Sequence, residues 1–168
     1  ADIADTVYIS AHFIPSSSDI NIKSPTDKWT LNTNSPKDST DKYYMPLTID
    51  GFDVNFQGFH HIEVQYKASS EADTRWTNIC SFFTDTTYYE EASGTKEFIT
   101  GPTITTRFFG AEDQNYDIRA VTFSKVGNEF VTKESPVITG VKDTKRPVVF
   151  GNIEPADGVL GVNDEIRL

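Results

Sequence analysis

The stretch Phe59-His-His-Ile-Glu-Val-Gln-Tyr-Lys67 switches between apolar and polar residues with a period of two. Neighbouring side chains of an extended strand point to opposite faces, so this pattern demands a strand with one face in a core. Ile62, Val64 and Tyr66 fall inward, and Glu63, Gln65 and Lys67 outward. Similar runs recur at short intervals. Residues 6–14 (TVYISAHFI) alternate and end in Pro15-Ser-Ser-Ser-Asp19. Further runs lie at 20–22, 28–33, 43–49, 75–83, 96–100 and 103–109, separated by clusters rich in Ser, Asp, Asn, Gly and Pro. No helical period of useful length exists. Only 85–94 (DTTYYEEASG) has a helical flavour, predicting one or two turns that end at Gly94. Twelve Phe and seven Tyr against one Met also favour strands. The expected fold class is all-β, an antiparallel two-sheet β-sandwich.

The segment 116–143 is predicted to be its last hairpin. Tyr116, Ile118 and Ala120 share one face, and Asp117 and Arg119 the other. Lys125-Val-Gly-Asn128 makes the turn, and Ser135-Pro136 breaks the returning strand near an edge.

These residues carry a resemblance. Tyr116-Asp-Ile-Arg-Ala-Val121, Gly127 and Glu134-Ser-Pro-Val-Ile138 resemble the last two strands of a fibronectin type III module, in which a tyrosine packs at a sheet corner. His61-Ile-Glu-Val-Gln-Tyr-Lys67 followed by Trp76 resembles the third strand of that family and its successor. The family's Trp on the second strand is absent, with Leu47-Thr-Ile-Asp-Gly-Phe52 in its place. The resemblance implies a fibronectin type III or immunoglobulin-like module over 23–143. Residues 1–22 are then expected to end a preceding module. After a linker at Asp143-Thr-Lys-Arg-Pro147, Val148–Gly158 and Val162–Leu168 resemble the opening strands of a bacterial immunoglobulin-like domain, so 144–168 is expected to be linker and opening strands. Strings of such modules resemble large surface proteins of Bacteroidetes-type bacteria. The implied setting is extracellular, on the bacterial cell surface, with neighbouring domains of a parent chain as partners.

Charge narrows the partners. Lys and Arg number 15 against 25 Asp and Glu, a formal net charge of -10. Such a surface repels nucleic-acid phosphates and anionic membranes, and no apolar run approaches the roughly 20 residues of a bilayer span. No secretory leader is expected at Ala1, so the chain reads as a mature product or an excised piece. Cys80 is the sole cysteine, in an apolar run, and is expected to be a buried free thiol.

Candidate chemistry is sparse. Strand alternation sends His60 and His61 to opposite faces, where they cannot hold one metal together. Asp50 and Asp53, in a turn, are weak calcium candidates, as are other turn carboxylates such as Glu112 and Asp113, but no Asp-x-Asp-x-Asp-Gly loop exists. Asx-type turn residues explain these positions without a metal, so no cofactor is expected. Glu90-Glu91 and Glu112-Asp113 are adjacent, as solvated charges are. No nucleophile elbow, Walker loop or dinucleotide fingerprint appears, so no catalytic residue is expected. Tyr88 and Tyr89 are the first candidates for ligand contact, since exposed rings stack on sugars or fill a partner's pocket. The expectation is a non-catalytic structural or spacer module, with an adhesin or carbohydrate-binding module using exposed aromatics as the alternative. The ligand in that case is a glycan or a protein.

Overall fold

The computed structural model describes residues 14–145. The strand expected over 6–14, save Ile14, and the opening strands expected beyond Pro147 lie outside them. Among the described residues the regular structure is mostly β-strand: β1 (Asn21–Ser24), β2 (Trp29–Leu31), β3 (Met45–Asp50), β4 (Phe59–Ala68), β5 (Thr77–Phe83), β6 (Lys96–Phe98), β7 (Ile104–Phe108), β8 (Gln114–Val126), β9 (Glu129–Glu134) and β10 (Ile138–Lys142). One short helix, α1 (Thr86–Glu91), interrupts them.

Two sheets form. A three-stranded sheet has the order β1-β3-β7, and a seven-stranded sheet the order β2-β10-β8-β4-β5-β6, with β9 also on β8. One sheet curls into a half-barrel, unlike a flat layer. Apolar side chains of both sheets meet in one core. Ile22, Leu47, Ile49, Ile104 and Phe108 come from the smaller sheet, and Trp29, Leu31, Ile62, Val64, Phe82, Tyr116, Ile118 and Ala120 from the larger. Among the described residues no helix is long and apolar enough to cross a membrane.

The sheets are not purely antiparallel, which corrects the expectation. β5 and β6 pair in parallel, Ser81 with Lys96 and Phe83 with Phe98. Parallel neighbours need a crossover of about a dozen residues, most often helical. The segment 84–95 supplies it, and α1 is its centre. Asp85 starts α1 by accepting from the N–H groups of Thr87 (2.7 Å) and Tyr88 (3.4 Å). At the other edge β2 and β10 pair in parallel, Trp29 with Gly140. Their separation in sequence leaves their direction free of any hairpin constraint.

The last hairpin forms as expected. β8 and β9 are joined by the two-residue loop Gly127-Asn128, with Gly127 at φ +65°. After Ser135-Pro136 the chain resumes on the same partner strand, Ile138 facing Ile118 and Lys142 facing Gln114. Across the break, Ser135 Oγ accepts from the Ala120 N–H at 2.9 Å. The break falls between two strands on one side of β8. β9 is an edge, whereas β10 is covered by β2.

The hydroxyl of Tyr116 accepts a 2.6 Å bond from the Ala111 N–H, closing the corner between β7 and β8. Its ring lies edge-on to Phe108, with centroids 4.9 Å apart. Cys80 is buried and free, and burial first, then Glu97, pushes its thiol up to about 12.

The path through the fold is polar in direction. Ser17 Oγ bonds Thr122 and Ser124 (2.9 and 2.8 Å) near the last residues of β8, and the Ser18 carbonyl accepts from Thr122 there too. Lys142 and Lys145 lie at the other end of β8, where Lys145 pairs with Asp113 at 2.7 Å.

Candidate functional site

The outer face of β4 carries the most organised polar group of the molecule. Alternation places His61, Glu63, Gln65 and Lys67 there, opposite Phe123, Val121, Arg119 and Asp117 of β8. Lys67 was expected to point outward, and on this outer face it is nevertheless only 4% exposed. The loop 69–76 folds over it. Its ammonium bonds the Glu71 carbonyl (3.0 Å), pairs with Asp117 (3.2 Å) and lies 5.5 Å from the Trp76 ring centre. The Arg119 guanidinium covers the same ring at 4.3 Å. Burial raises the Asp117 carboxyl, but bonds from Ser69, Lys67 and Thr139 outweigh it and hold the group below its ordinary value.

From Arg119 a chain of hydrogen bonds runs along β4. Arg119 Nε donates to Gln65 Oε1 (2.8 Å), and Gln65 Nε2 donates to Glu63 Oε1 (2.8 Å). The other Glu63 oxygen lies 3.3 Å from His61 Nε2. His61 Nδ1 lies 2.8 Å from His60 Nδ1. Glu63 is held below the usual carboxylate range, chiefly by the bond from His61, which acts against burial with help from Gln65.

That last contact corrects the reading of the histidine pair. Opposite faces were expected, yet the two rings meet with centroids 5.0 Å apart. The cause is a bulge. Phe59 faces Ser124 and His61 faces Phe123, so His60 is an extra residue without a partner and its side chain is re-aimed. Gly58 permits the distortion. It sits at φ +80°, its carbonyl accepts from the Lys125 N–H at 2.6 Å, and a Cβ there would lie 2.5 Å from the Lys125 carbonyl oxygen. A glycine just before an alternating strand is the signal in the sequence that marks such a bulge.

Aromatic rings hold the pair. His61 is stacked between Phe123 (4.2 Å) and Phe83 (5.3 Å). His60 stacks on Tyr88 of α1 at 4.0 Å and meets the edge of Phe130 at 4.9 Å. Burial first, then His61 and Lys125, lowers the His60 imidazole below its ordinary value, against Asp85. An open cleft of about 440 Å³ lies beside the rings, lined by His60, Glu63, Asn78, Tyr88, Glu91 and Lys125 among others.

The remaining candidates fall elsewhere. Tyr88 borders this cleft, but Tyr89 does not face it. Tyr89 stacks on Phe98 at 4.1 Å, with the Lys96 ammonium 4.7 Å from its centre. The two tyrosines therefore form no coplanar platform. Asp50 accepts from Asn21 Nδ2 at 3.1 Å, and Asp53 accepts from the Asn55 N–H at 2.9 Å in an Asx turn. Among the described residues no three His, Cys, Asp or Glu side chains gather in a metal-ligand arrangement.

The chain matches no family model, no curated protein and no solved structure.

Proposed function

We propose that this chain is a non-catalytic β-sandwich module of the fibronectin type III or immunoglobulin-like kind, which sets the spacing between neighbouring domains of a secreted or surface-anchored bacterial protein. The observation that carries this reading is the path of the chain. Residues 17–18 lie at one end of β8 and residues 142–145 at the other. Ser17 meets β8 at Thr122 and Ser124 and Lys142 faces it at Gln114, eight to ten residues away, which at about 3.3 Å each separates the two points by roughly 30 Å. A body crossed from pole to pole adds its own length to a string of domains, whereas one whose ends are adjacent adds little. The hydroxyl of Tyr116 on the Ala111 N–H adds support, since a tyrosine bonded back to the chain a few residues upstream recurs in immunoglobulin-like sandwiches. A net charge of -10 favours self-repulsion along such a string.

The test is a head-to-tail duplication of the whole chain, measured by small-angle X-ray scattering. The largest dimension should grow by about one domain length. A duplicate scarcely longer than the single chain overturns the spacer reading.

A second reading, an adhesin or carbohydrate-binding module, is favoured by one observation. The cleft beside His60 sets the half-buried Tyr88 next to polar side chains, among them Glu63, Asn78 and Glu91. Glycan-array binding with calcium and with chelator tests it, and silence in both conditions removes it.

A further inference from the structure

The strand β9 leaves one row of backbone groups unused. A two-residue loop joins it to β8, so Val126 and Glu129 exchange backbone bonds across the hairpin. Alternation then turns the N–H and C=O groups of Glu129, Val131 and Lys133 toward β8, and those of Phe130, Thr132 and Glu134 away from it. The same alternation holds in β8, where the Lys125 N–H reaches Gly58 on the opposite side. Among the described residues no strand covers the outer row of β9. Free edges are usually kept short, because a long one is a template for another strand. At six residues β9 is the longest edge of either sheet, against four in β1, three in β2, three in β6 and five in β7.

The residues along this edge complement themselves when the strand is turned end for end. A two-fold axis through Val131 pairs two copies of β9 antiparallel. Phe130 of each copy then faces Thr132 of the other, and both present outward backbone groups, so the ladder closes. Glu129 of each copy faces Lys133 of the other. These are pairs without mutual backbone bonds, in which side chains approach most closely and opposite charges attract. Lys133 also meets Asp19 of its own chain, but both side chains are largely exposed and an ammonium has three hydrogens to give. Phe130, 48% exposed, gains the second Phe130 on the diagonal, within reach of an aromatic ring. An axis through Thr132 sets Phe130 against Glu134 and Val131 against Lys133. An axis through Phe130 sets Glu129 against Val131. An axis between two residues sets outward backbone groups against inward ones, and no ladder closes. The Val131 axis alone matches charge with charge. The net charge of -10 on each copy opposes association, but at physiological salt charges beyond about 8 Å are screened, and those on this edge are complementary.

We propose that β9 is a homodimerisation edge, at which two copies of this chain join their larger sheets by antiparallel β9–β9 pairing about Val131. The inference goes beyond the spacer reading, which concerns the two ends of the chain, and adds lateral association to it.

The experiment is sedimentation equilibrium of the whole chain at about 0.15 M salt, with Glu129→Lys, Lys133→Glu and an equal mixture of the two. An interface of this size is of the weak class, so the weight-average mass should rise toward twice the monomer as concentration approaches ~1 mM. Each variant alone sets like charges opposite one another and should weaken the dimer about tenfold. The mixture sets opposite charges together again at both positions and should dimerise as the wild type does. A wild-type chain that stays monomeric overturns the proposal, as does a dimer that neither variant weakens or that the mixture fails to restore. If a variant fails to fold, amide hydrogen exchange of the wild-type chain decides. The N–H groups of Phe130 and Thr132 should slow as concentration rises, and that of Glu134 should not. Slowing at Glu134 as well overturns the Val131 axis. Protection of Phe130 and Thr132 that does not vary with concentration overturns the proposal, because another part of the same chain then holds the edge.

Discussion

Replacing Gly140 with alanine probes how the larger sheet closes on the core. Gly140 of β10 is registered with Trp29 of β2. A Cβ at this glycine would overlap both the indole ring and the carbonyl oxygen of Trp29, well inside the 3.0 Å that real Cβ atoms keep. The carbonyl belongs to the backbone and cannot turn aside as a side-chain tip does. Two responses remain. β2 can move away from β10, straining the ladder at about 1–3 kcal/mol, as overpacking does. Alternatively, Trp29 can leave its place against Phe108, which costs about 3–5 kcal/mol when a buried Trp is removed. The cheaper response sets the cost, so the expected destabilisation is about 1–3 kcal/mol, set against a typical total of about 5–15 kcal/mol. Urea unfolding followed by tryptophan fluorescence measures it, and a red-shifted native spectrum would identify the second response. Gly101→Ala is the control. No atom lies within 4 Å of a Cβ built there, so a change of less than about 0.5 kcal/mol is expected. If Gly140→Ala is as mild as Gly101→Ala, the close seating of Trp29 on β10 is refuted.

Other expectations follow from individual contacts. Tyr116→Phe removes the acceptor of the Ala111 N–H and should cost about 1–3 kcal/mol in chemical denaturation, whereas a neutral change would show that water replaces the hydroxyl. Cys80, with its thiol pushed up to about 12, should resist thiol reagents in the folded chain and react at once in denaturant, and rapid labelling of the native protein would contradict its burial. His60, Glu63 and Asp117 are all lowered from ordinary values of 6.5, 4.5 and 3.8, so the unfolded chain binds their protons more readily. The stability they contribute is present above those ordinary values and is lost as pH falls through the lower folded-state values. The melting temperature should therefore drop first below about pH 6.5 and again in the carboxylate range. A melting temperature that holds or rises between pH 7 and pH 3 would contradict the assigned directions.

What the sequence revealed and what it hid divide along physical lines. Alternation in β4 and β8 located their inward residues correctly, because burial of one face imposes the period. Ile62, Val64, Ile118 and Ala120 are fully buried. The Gly127 turn and the bond of Tyr116 are local events, and the residue types announce them. The joining of His60 to His61 was hidden because a bulge depends on the partner strand, and Ser124 and Phe123 are remote in sequence from Phe59. The burial of the outward-facing Lys67 was hidden for a similar reason, since it is set by the Trp76 loop that covers it. The parallel edges need a crossover and a distant pairing, neither of which leaves a periodic trace. Tyr88 and Tyr89, equal neighbours in sequence, part company because α1 turns one toward His60 and the other toward Phe98.

The pairing of β2 with β10 has a mechanical consequence. Three registered residue pairs join these strands, reinforced by Lys28 N–H to the Thr139 carbonyl at 2.6 Å and Asp143 N–H to the Leu31 carbonyl at 2.9 Å. Both strands run toward the pole at which Lys145 lies. Tension that draws residues 14 and 145 apart pulls β2 from its start and β10 from its end, in opposite directions along their shared ladder. These hydrogen bonds are then sheared together and must fail as a group, whereas antiparallel strands pulled from one end would unzip one bond at a time. Such a clamp makes resistance to stretching depend on a handful of contacts around Trp29 and Gly140, largely independent of the stability of the remaining core.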